Sequence, residues 1–584
     1  MTRPKKIAIV GSGVSGIGAL YSLKNTPHEV HLFESADRLG GHTNTVQFEH
    51  NGKKVNVDTG FIVFNTATYR QSPSPHPFIS IQHVLIPVSV ANFISFLSAL
   101  NIPSTPTEMT FGVSRDAGAF EWAGTSLSAV FAQRKNIFSL RMWRMIFDIV
   151  RFNQFAVDLL WYENESEGEP VNGHTQSNGN GKTKENGTST NTDAKHTNEM
   201  NQRRQESIGA YLSRNGYSDA FRDDYLIPMT AAVWSTSPEK CSLEFPAMTL
   251  VRFMWNHHLL STVAARPSWM TIAQGSRAYI DAVVKDVPKE RIHLAKRVVA
   301  VDGGEVGEGG KVWLRFEDGK EEEFDHVVLA CHGDTACELV CGGRRGTAEE
   351  REILGGFKTT ENVAYLHSDL SVRLVAHNTT LQTHLTDTPQ LMPHNTRAWS
   401  AWNLITETPS TTSPTTSSAP SSVCLTYNMN ILQHIPTSIY SDILVTLNPI
   451  HDPDPSTVQG KWTYHHPLYN SAMIQSQKML PRIQNTRGIS YAGAWTKYGF
   501  HEDGFSSGLK VGIDVLGGSV EWKEGVRDST FSRGRRPELG WVDWLVRLVV
   551  MMIGLLIWVG EGVREVLFRE AGHEKRRVEE KKAM

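Results

Sequence analysis

The sequence predicts an α/β protein: a Rossmann-like dinucleotide-binding domain built from discontinuous segments, an α+β substrate domain interleaved with it, and a hydrophobic C-terminal helix. Three observations predict this. Residues 6–20, KIAIVGSGVSGIGAL, run a β-branched strand into glycines spaced for a dinucleotide loop. Strand-like segments bounded by glycine turns return between residues 296 and 334, and a glycine-rich helical segment follows residue 490. An apolar run lies near the end of the chain, at residues 541–560.

The elements follow in order. Ile7–Val10 suits a buried parallel strand, and Gly11, Gly13 and Gly16 give the G-x-G-x-x-G spacing. Gly11 allows the tight turn, Gly13 lets backbone approach a pyrophosphate, and Gly16 lets the next helix pack on the strand. That helix starts near Val14 and Ser15, with its free N–H groups facing the phosphates. EVHLFES is a second strand ending in Glu34, followed by Ser35; an acid about 20 residues past the glycines accepts hydrogen bonds from ribose hydroxyls. RMWRMIFDIVRFNQFAVDLLW carries apolar residues at helical spacing. Residues 164–205 and 406–422 are polar, with almost no side chains able to build a core, and are expected to be surface loops. KRVVAVDGG, KVWLRFEDG and FDHVVLACHGD read as the strands that close the dinucleotide-binding sheet. These shifts divide the chain into residues 1–70, 266–340 and 486–520 for the dinucleotide-binding domain, 71–265 and 341–485 for the substrate domain, and 521–584 for the tail.

Composition narrows the function. Forty per cent hydrophobic and 20% charged residues are ordinary for a globular protein, and a net charge of −3 without a basic block gives no footprint for nucleic acid. The five cysteines, Cys241, Cys331, Cys337, Cys341 and Cys424, lack the paired spacing of a structural zinc site; reduced thiols and no metal are expected. The first strand begins almost at once, which predicts no secretory signal and an intracellular protein. In the tail, Leu548–Gly560 is an unbroken apolar run, and Trp541–Val546 bring its length near the roughly 20 residues that span a bilayer. Arg533, Arg535, Arg536 and Arg547 precede it, and Trp541, Trp544 and Trp558 suit an interface. Membrane association through residues 541–560 and a helix docked on the enzyme are both compatible with this pattern.

Glu34, Arg38, Gly40, Gly41 and then Asp58-Thr59-Gly60 resemble the N-terminal FAD signature of the flavin amine oxidase superfamily. YAGAWTKYGFHEDGFSSGLKVGIDVLGG resembles its second flavin segment. His42 stands where the family usually has Arg or Lys, and Ala494 where many members carry an acid. The resemblance implies non-covalent FAD, since no cysteine lies in the second segment. It adds Val298, Gly493, Phe505, Ser506 and Ser507 to the cofactor-binding set, with Ser506–Leu509 opening a helix toward the flavin ring. DTGFIVFN, RDAGAFEWAG, AWSAWN and YGFHEDGFSSGL are similar to a narrower group that accompanies cyclopropane-fatty-acid-synthase-type methyltransferases, which implies a lipid substrate. Against that group, residues 71–90 read as an insertion.

The implied chemistry is hydride removal from a C–H bond of an apolar small molecule, lipid or fatty-acyl, with O2 or another acceptor reoxidising the flavin. A flavin amine oxidase and a non-catalytic FAD-binding scaffold are the alternatives. Tyr498, Phe500, His501, Glu502 and Asp503 precede the flavin helix and are expected near the ring. His501 is a candidate for proton transfer or substrate orientation, or simply fixes the turn. Lys358 is the candidate for the lysine that amine oxidases of this superfamily bond through water to the flavin. Trp234, Trp399 and Trp402 either line an apolar channel or fill the core.

Overall fold

The computed structural model describes residues 3–66, 91–162, 206–234, 243–260, 268–304, 310–370, 391–407, 424–523, 525–526 and 539–560. The segments 71–90 and 164–205, nearly all of 406–422, Cys241, Arg533, Arg535 and Arg536 lie outside the described residues.

Strand β1 (Lys6–Val10), helix α1 (Val14–Leu23) and strand β2 (Glu29–Phe33) form the predicted strand–loop–helix–strand unit. The chain then leaves and returns, so that one parallel five-stranded sheet runs Ile292–His293, β2, β1, His326–Leu329, Ile489–Tyr491. Ile7, Ala8, Ile9, Val327, Val328 and Leu329 are fully buried, as expected where helices or other layers cover both faces of a parallel sheet. β1 lies between a strand that follows it locally and one that arrives over 300 residues later. Ligands of open α/β sheets bind beyond the strand C-termini at such a reversal.

Only one of the three returning strands joins that sheet. Val298–Asp302 pairs instead with Val312–Phe316, and that strand with Glu321–Phe324, in a separate antiparallel three-stranded sheet. The short turn at Gly319 (φ +79°) reverses the chain directly, whereas a parallel neighbour needs a crossover.

The helix His501–Lys510 is laid against α1 by glycines four residues apart. A Cβ on Gly504 would fall 2.7 Å from Val14 Cγ1, and one on Gly508 would fall 1.9 Å from the Ser15 carbonyl oxygen. One on Gly512 would lie 1.9 Å from Ser22 Oγ. Helix backbone therefore packs directly on α1, on its backbone at Ser15 and on its side chains at Val14 and Ser22, which carries the last dinucleotide-side segment onto the first.

The other layer is a mixed seven-stranded sheet, ordered Val458–Pro467, Thr359–His367, Leu444–Leu447, Cys424–Asn428, Trp402–Thr406, Phe111–Arg115, Phe120–Ala123. The predicted amphipathic helix spans Leu140–Phe155, capped by the Ser139 hydroxyl, which accepts the Met142 N–H. A final apolar helix, Trp541–Gly560, has a mean hydropathy of 2.2 and packs one narrow stripe on this helix.

Candidate active site

The glycine loop has the geometry that its spacing implies. Gly11 sits at φ +104°, and a Cβ there would press 2.7 Å from the Ala330 carbonyl oxygen. A Cβ on Gly16 would stand 2.0 Å from the Gly11 carbonyl oxygen. One on Gly13 would meet no atom within 4 Å, so this residue fronts open space. Gly13 caps α1 with no side-chain acceptor, leaving the first-turn N–H groups around Val14 and Ser15 available to an anion. Gly41 (φ +56°) faces the loop, its added Cβ 3.4 Å from Gly13 Cα.

Glu34 closes this side. One carboxylate oxygen accepts the Ser12 N–H (3.0 Å) and hydroxyl (2.5 Å); the other accepts the Ala36 N–H (2.9 Å) and the Ser35 hydroxyl (3.2 Å). The Ser12 hydroxyl in turn accepts the Gly40 N–H at 3.1 Å, and Arg38 donates to the Gly41 carbonyl at 2.9 Å. Lys296 donates its N–H to the Glu34 carbonyl, which brings Val298 alongside. A cradle with open space before Gly13, free helix N–H groups and a carboxylate beyond it fits a dinucleotide diphosphate and ribose.

A second set of groups gathers around His501. Its ring stacks on Phe61, centroids 3.5 Å apart, and meets Phe93 edge-on at 4.8 Å. Its Nε2 shares a hydrogen bond with the Tyr279 hydroxyl (3.0 Å), which is bonded to the Thr43 hydroxyl (2.6 Å). Burial pushes His501 down to about 3, so the imidazole is neutral at ordinary pH. Nearby, His42, His332, His465 and His466 form a cluster. The His42 ring lies 5.5 Å from that of His332 and 5.2 Å from that of His466, and His332 lies 6.0 Å from His465. Burial first, then the neighbouring imidazoles, holds His42 well below the ordinary value and His466 at about 4. The His42 Nε2 is buried with no partner among the described residues.

Several expected residues serve the scaffold. Asp58 is fully buried and accepts from Thr45, Ser276 and Gln433; burial raises it to about 6 against those bonds. The Thr59 hydroxyl is shared with Tyr464 (2.8 Å) and Asn44, and Gly60 lies against the His42 carbonyl. The expected helix start at Ser506 is corrected: the helix begins at His501, and Asp503 accepts the Phe500 N–H at 3.1 Å as its cap. Two acids in the first turn favour that start through the helix dipole. Ser506 is therefore within the helix, bonded to Glu502 and Asn92, and Phe505 packs into the core against Phe96. Ser507 accepts the Gly493 N–H at 2.9 Å and fixes that turn. Glu502 turns away to receive the Asn92 and Phe93 N–H groups at the start of the helix Asn92–Ala99; burial raises it to about 7.

Lys358 is not brought to this group. It is exposed at the foot of the strand Thr359–His367, near Cys337, and among the described residues no hydrogen bond or ion pair joins it to His501. Trp234 is buried and donates to the Tyr498 carbonyl (3.2 Å), and Trp399 donates to the Pro393 carbonyl (2.7 Å). The indole N–H of Trp402 is buried and unpartnered among the described residues. Sequence reasoning missed Ser12, Thr43, Phe61, Tyr279, His332, His465 and His466. The one available signal was the four-residue spacing of Gly504, Gly508 and Gly512, which marks a helix that another backbone approaches.

Comparison with known proteins agrees with this geometry. The NAD(P)-binding Rossmann-like domain family matches residues 9–74, and the flavin containing amine oxidoreductase family matches residues 194–516. The L-amino-acid oxidase of Pseudechis australis is 39% identical over 56 residues, 10% of this chain and 11% of that protein. That of Cerastes cerastes is 41% identical over the same length and the same shares. The chain thus matches about a tenth of the length of these curated relatives. Among solved structures, a fatty acid isomerase from P. acnes that produces CLA superposes with a TM-score of 0.51 at 13% identity, covering 88% of this chain and all of the other. A putrescine oxidase triple mutant does so with 0.51 at 12%, covering 88% and 99%. Both share the fold. A match over more than half of the chain, on a fold with this cradle, establishes that the chain belongs to the flavin containing amine oxidoreductase family, with FAD as its cofactor.

Proposed function

We propose that the chain removes a hydride from a C–H bond of an apolar substrate, a lipid or fatty-acyl group, with O2 or another acceptor taking the electrons onward. Bound FAD supplies the hydride acceptor. Gly11, Gly13 and Gly16 admit its diphosphate, the N–H groups of Val14 and Ser15 face it, and Glu34, Ser35 and Val298 serve the adenosine. Arg38, Gly40, Gly41 and His42 line the far wall of the phosphate cradle, and Gly60, packed on the His42 carbonyl, and Gly493, packed on the Trp495 indole, lie on the ring side. His501 acts as a neutral, positioned imidazole, because a group depressed to about 3 is a poor base near neutrality and Tyr279 already holds its Nε2.

The observation that carries the apolar substrate class is the exposed helix Trp541–Gly560, which favours membrane association and so places the enzyme where such substrates are. The aromatic walls of His501, made by Phe61 and Phe93 from neighbouring segments, support the same class. The likeness of DTGFIVFN and YGFHEDGFSSGL to the methyltransferase-associated group points the same way. The family match favours a second reading, an amine oxidase, in which Tyr498 flanks the amine.

The test is anaerobic mixing of the flavin-loaded full chain with a fatty-acyl panel and an amine panel. Loss of flavin absorption with an acyl substrate is expected. Loss with an amine alone would replace the first reading by the second, and no reduction by either would leave an FAD-binding scaffold.

A further inference from the structure

The last helix does not stand free. Arg547 is 4% exposed and pairs with Asp158 at 2.8 Å, donates to the Gln154 carbonyl, and lies over the Phe155 ring at 4.9 Å. Val550 is buried on the same stripe, and a Cβ on Gly554 would stand 3.5 Å from the Phe147 ring. Seven residues forward along the tail helix thus correspond to at least seven backward along Leu140–Phe155. The two run antiparallel, and the final turn reaches the level of Trp143 and Leu140. The partner helix is fastened to the enzyme: Asp148, fully buried, receives Arg144 and Arg151 and the Ser218 N–H at 3.0 Å.

Where the tail helix ends, the enzyme exposes apolar side chains of its own. Phe138 is 89% exposed, Leu140 83%, Leu127 77% and Trp143 50%. On the tail helix, Leu555, Leu556 and Trp558 are each at least 60% exposed. Arg134 and Lys135 are exposed beside Phe138. Large exposed apolar patches mark interaction sites, and a cationic rim selects an anionic partner.

We infer that Phe138, Leu140, Leu127 and Trp143 form a second membrane contact, and that the tail helix lies along an anionic lipid surface instead of crossing it. This rests on the membrane reading given above. A spanning helix would have to leave Asp158 and the helix Leu140–Phe155, itself tied to the soluble fold. A helix of about 30 Å lying flat, with its apolar side down and Arg547 up, keeps every contact described.

Sedimentation of the full chain with phosphatidylcholine vesicles, with and without phosphatidylserine, tests this. The wild type is expected to sediment with the anionic vesicles. The double variant F138E/L140E should need about tenfold more lipid or above, since two inserted side chains are lost. Its flavin content and melting temperature should be unchanged, because both positions are solvent-exposed. A variant that binds as tightly as wild type would overturn the second contact while leaving the helix as anchor. A wild type that stays in the supernatant would overturn the membrane reading itself, and a concentration-dependent dimer in that case would assign the face to a second copy.

Discussion

Glu34 and His501 stand in two parts of one candidate site, and each has its position fixed by a different kind of neighbour. The donors on Glu34 come from Ser12, Ser35 and Ala36, none more than 22 residues away. His501 is held by Tyr279, 222 residues distant, and by Phe61 and Phe93 from near the other end of the chain. The first part is backbone geometry within a single βαβ unit, so it depends on local glycines. The second is side-chain packing between segments that meet only in the finished fold, so it depends on burial and on protonation.

The largest effect should come from the local part. Gly16→Ala drives a Cβ to 2.0 Å from a backbone oxygen, and a rigid overlap of that kind costs about 3 kcal/mol or more. The variant should be recovered without flavin. Gly13→Ala places its methyl in open space, so it should keep its melting temperature and lose only FAD affinity, read by fluorescence titration. If both variants bound FAD normally, the loop would not be the cofactor cradle.

Protonation should single out the ring side. His42, His257, His326, His367, His466 and His501 are all held below the ordinary value by burial. As pH falls below about 6.5 the unfolded chain takes up protons that the folded groups refuse, down to about 3 for His257, His326 and His501 and about 4 for His367 and His466, so stability drops, by up to ~1.4 kcal/mol per pH unit for each histidine. Asp58 and Glu502, raised to about 6 and about 7, act in the opposite sense over their own windows, gaining stability on acidification. The histidines outnumber them. The melting temperature should therefore fall between about pH 6.5 and about pH 5, and His466→Gln should flatten the slope. A slope unchanged by that variant would break the account of the cluster.

Smaller effects sharpen the comparison. Tyr279→Phe removes the hydroxyl between Thr43 and His501, and the expected loss is about 1 kcal/mol, with kcat falling and KM nearly unchanged. The pH–rate profile should keep its shape, since His501 does not titrate near neutrality. Lys358→Met should change stability by less than about 0.5 kcal/mol and leave flavin reduction at the wild-type rate, because the side chain is exposed and away from His501. A large loss of reduction rate would return Lys358 to the site.

The same contrast explains what could be read from the chain. The glycine loop, Glu34 and the helix Leu140–Phe155 announce themselves within short windows, because a turn, an acid at fixed spacing and a 3.6-residue period are local properties. The discontinuous sheet was legible from strands that recur after long gaps, although two of those strands pair elsewhere, in an antiparallel sheet whose central strand is reversed by the short turn at Gly319. The start of the flavin helix, placed at Ser506 by the family resemblance, lies at His501; Glu502 and Asp503 were the better sign, as acids belong in a first turn. Tyr279, Phe61, His332 and His465 had no local signature at all. Their significance arises only when distant segments converge, and a single sequence contains no record of which strand will face which loop.

Whether this fold holds FAD by non-covalent contacts is decided by stoichiometric titration of the purified full chain with FAD. One FAD per chain, released intact on denaturation, is expected, with a sharp loss of affinity in Gly16→Ala. A folded, colourless wild-type protein that takes up no added FAD would contradict it.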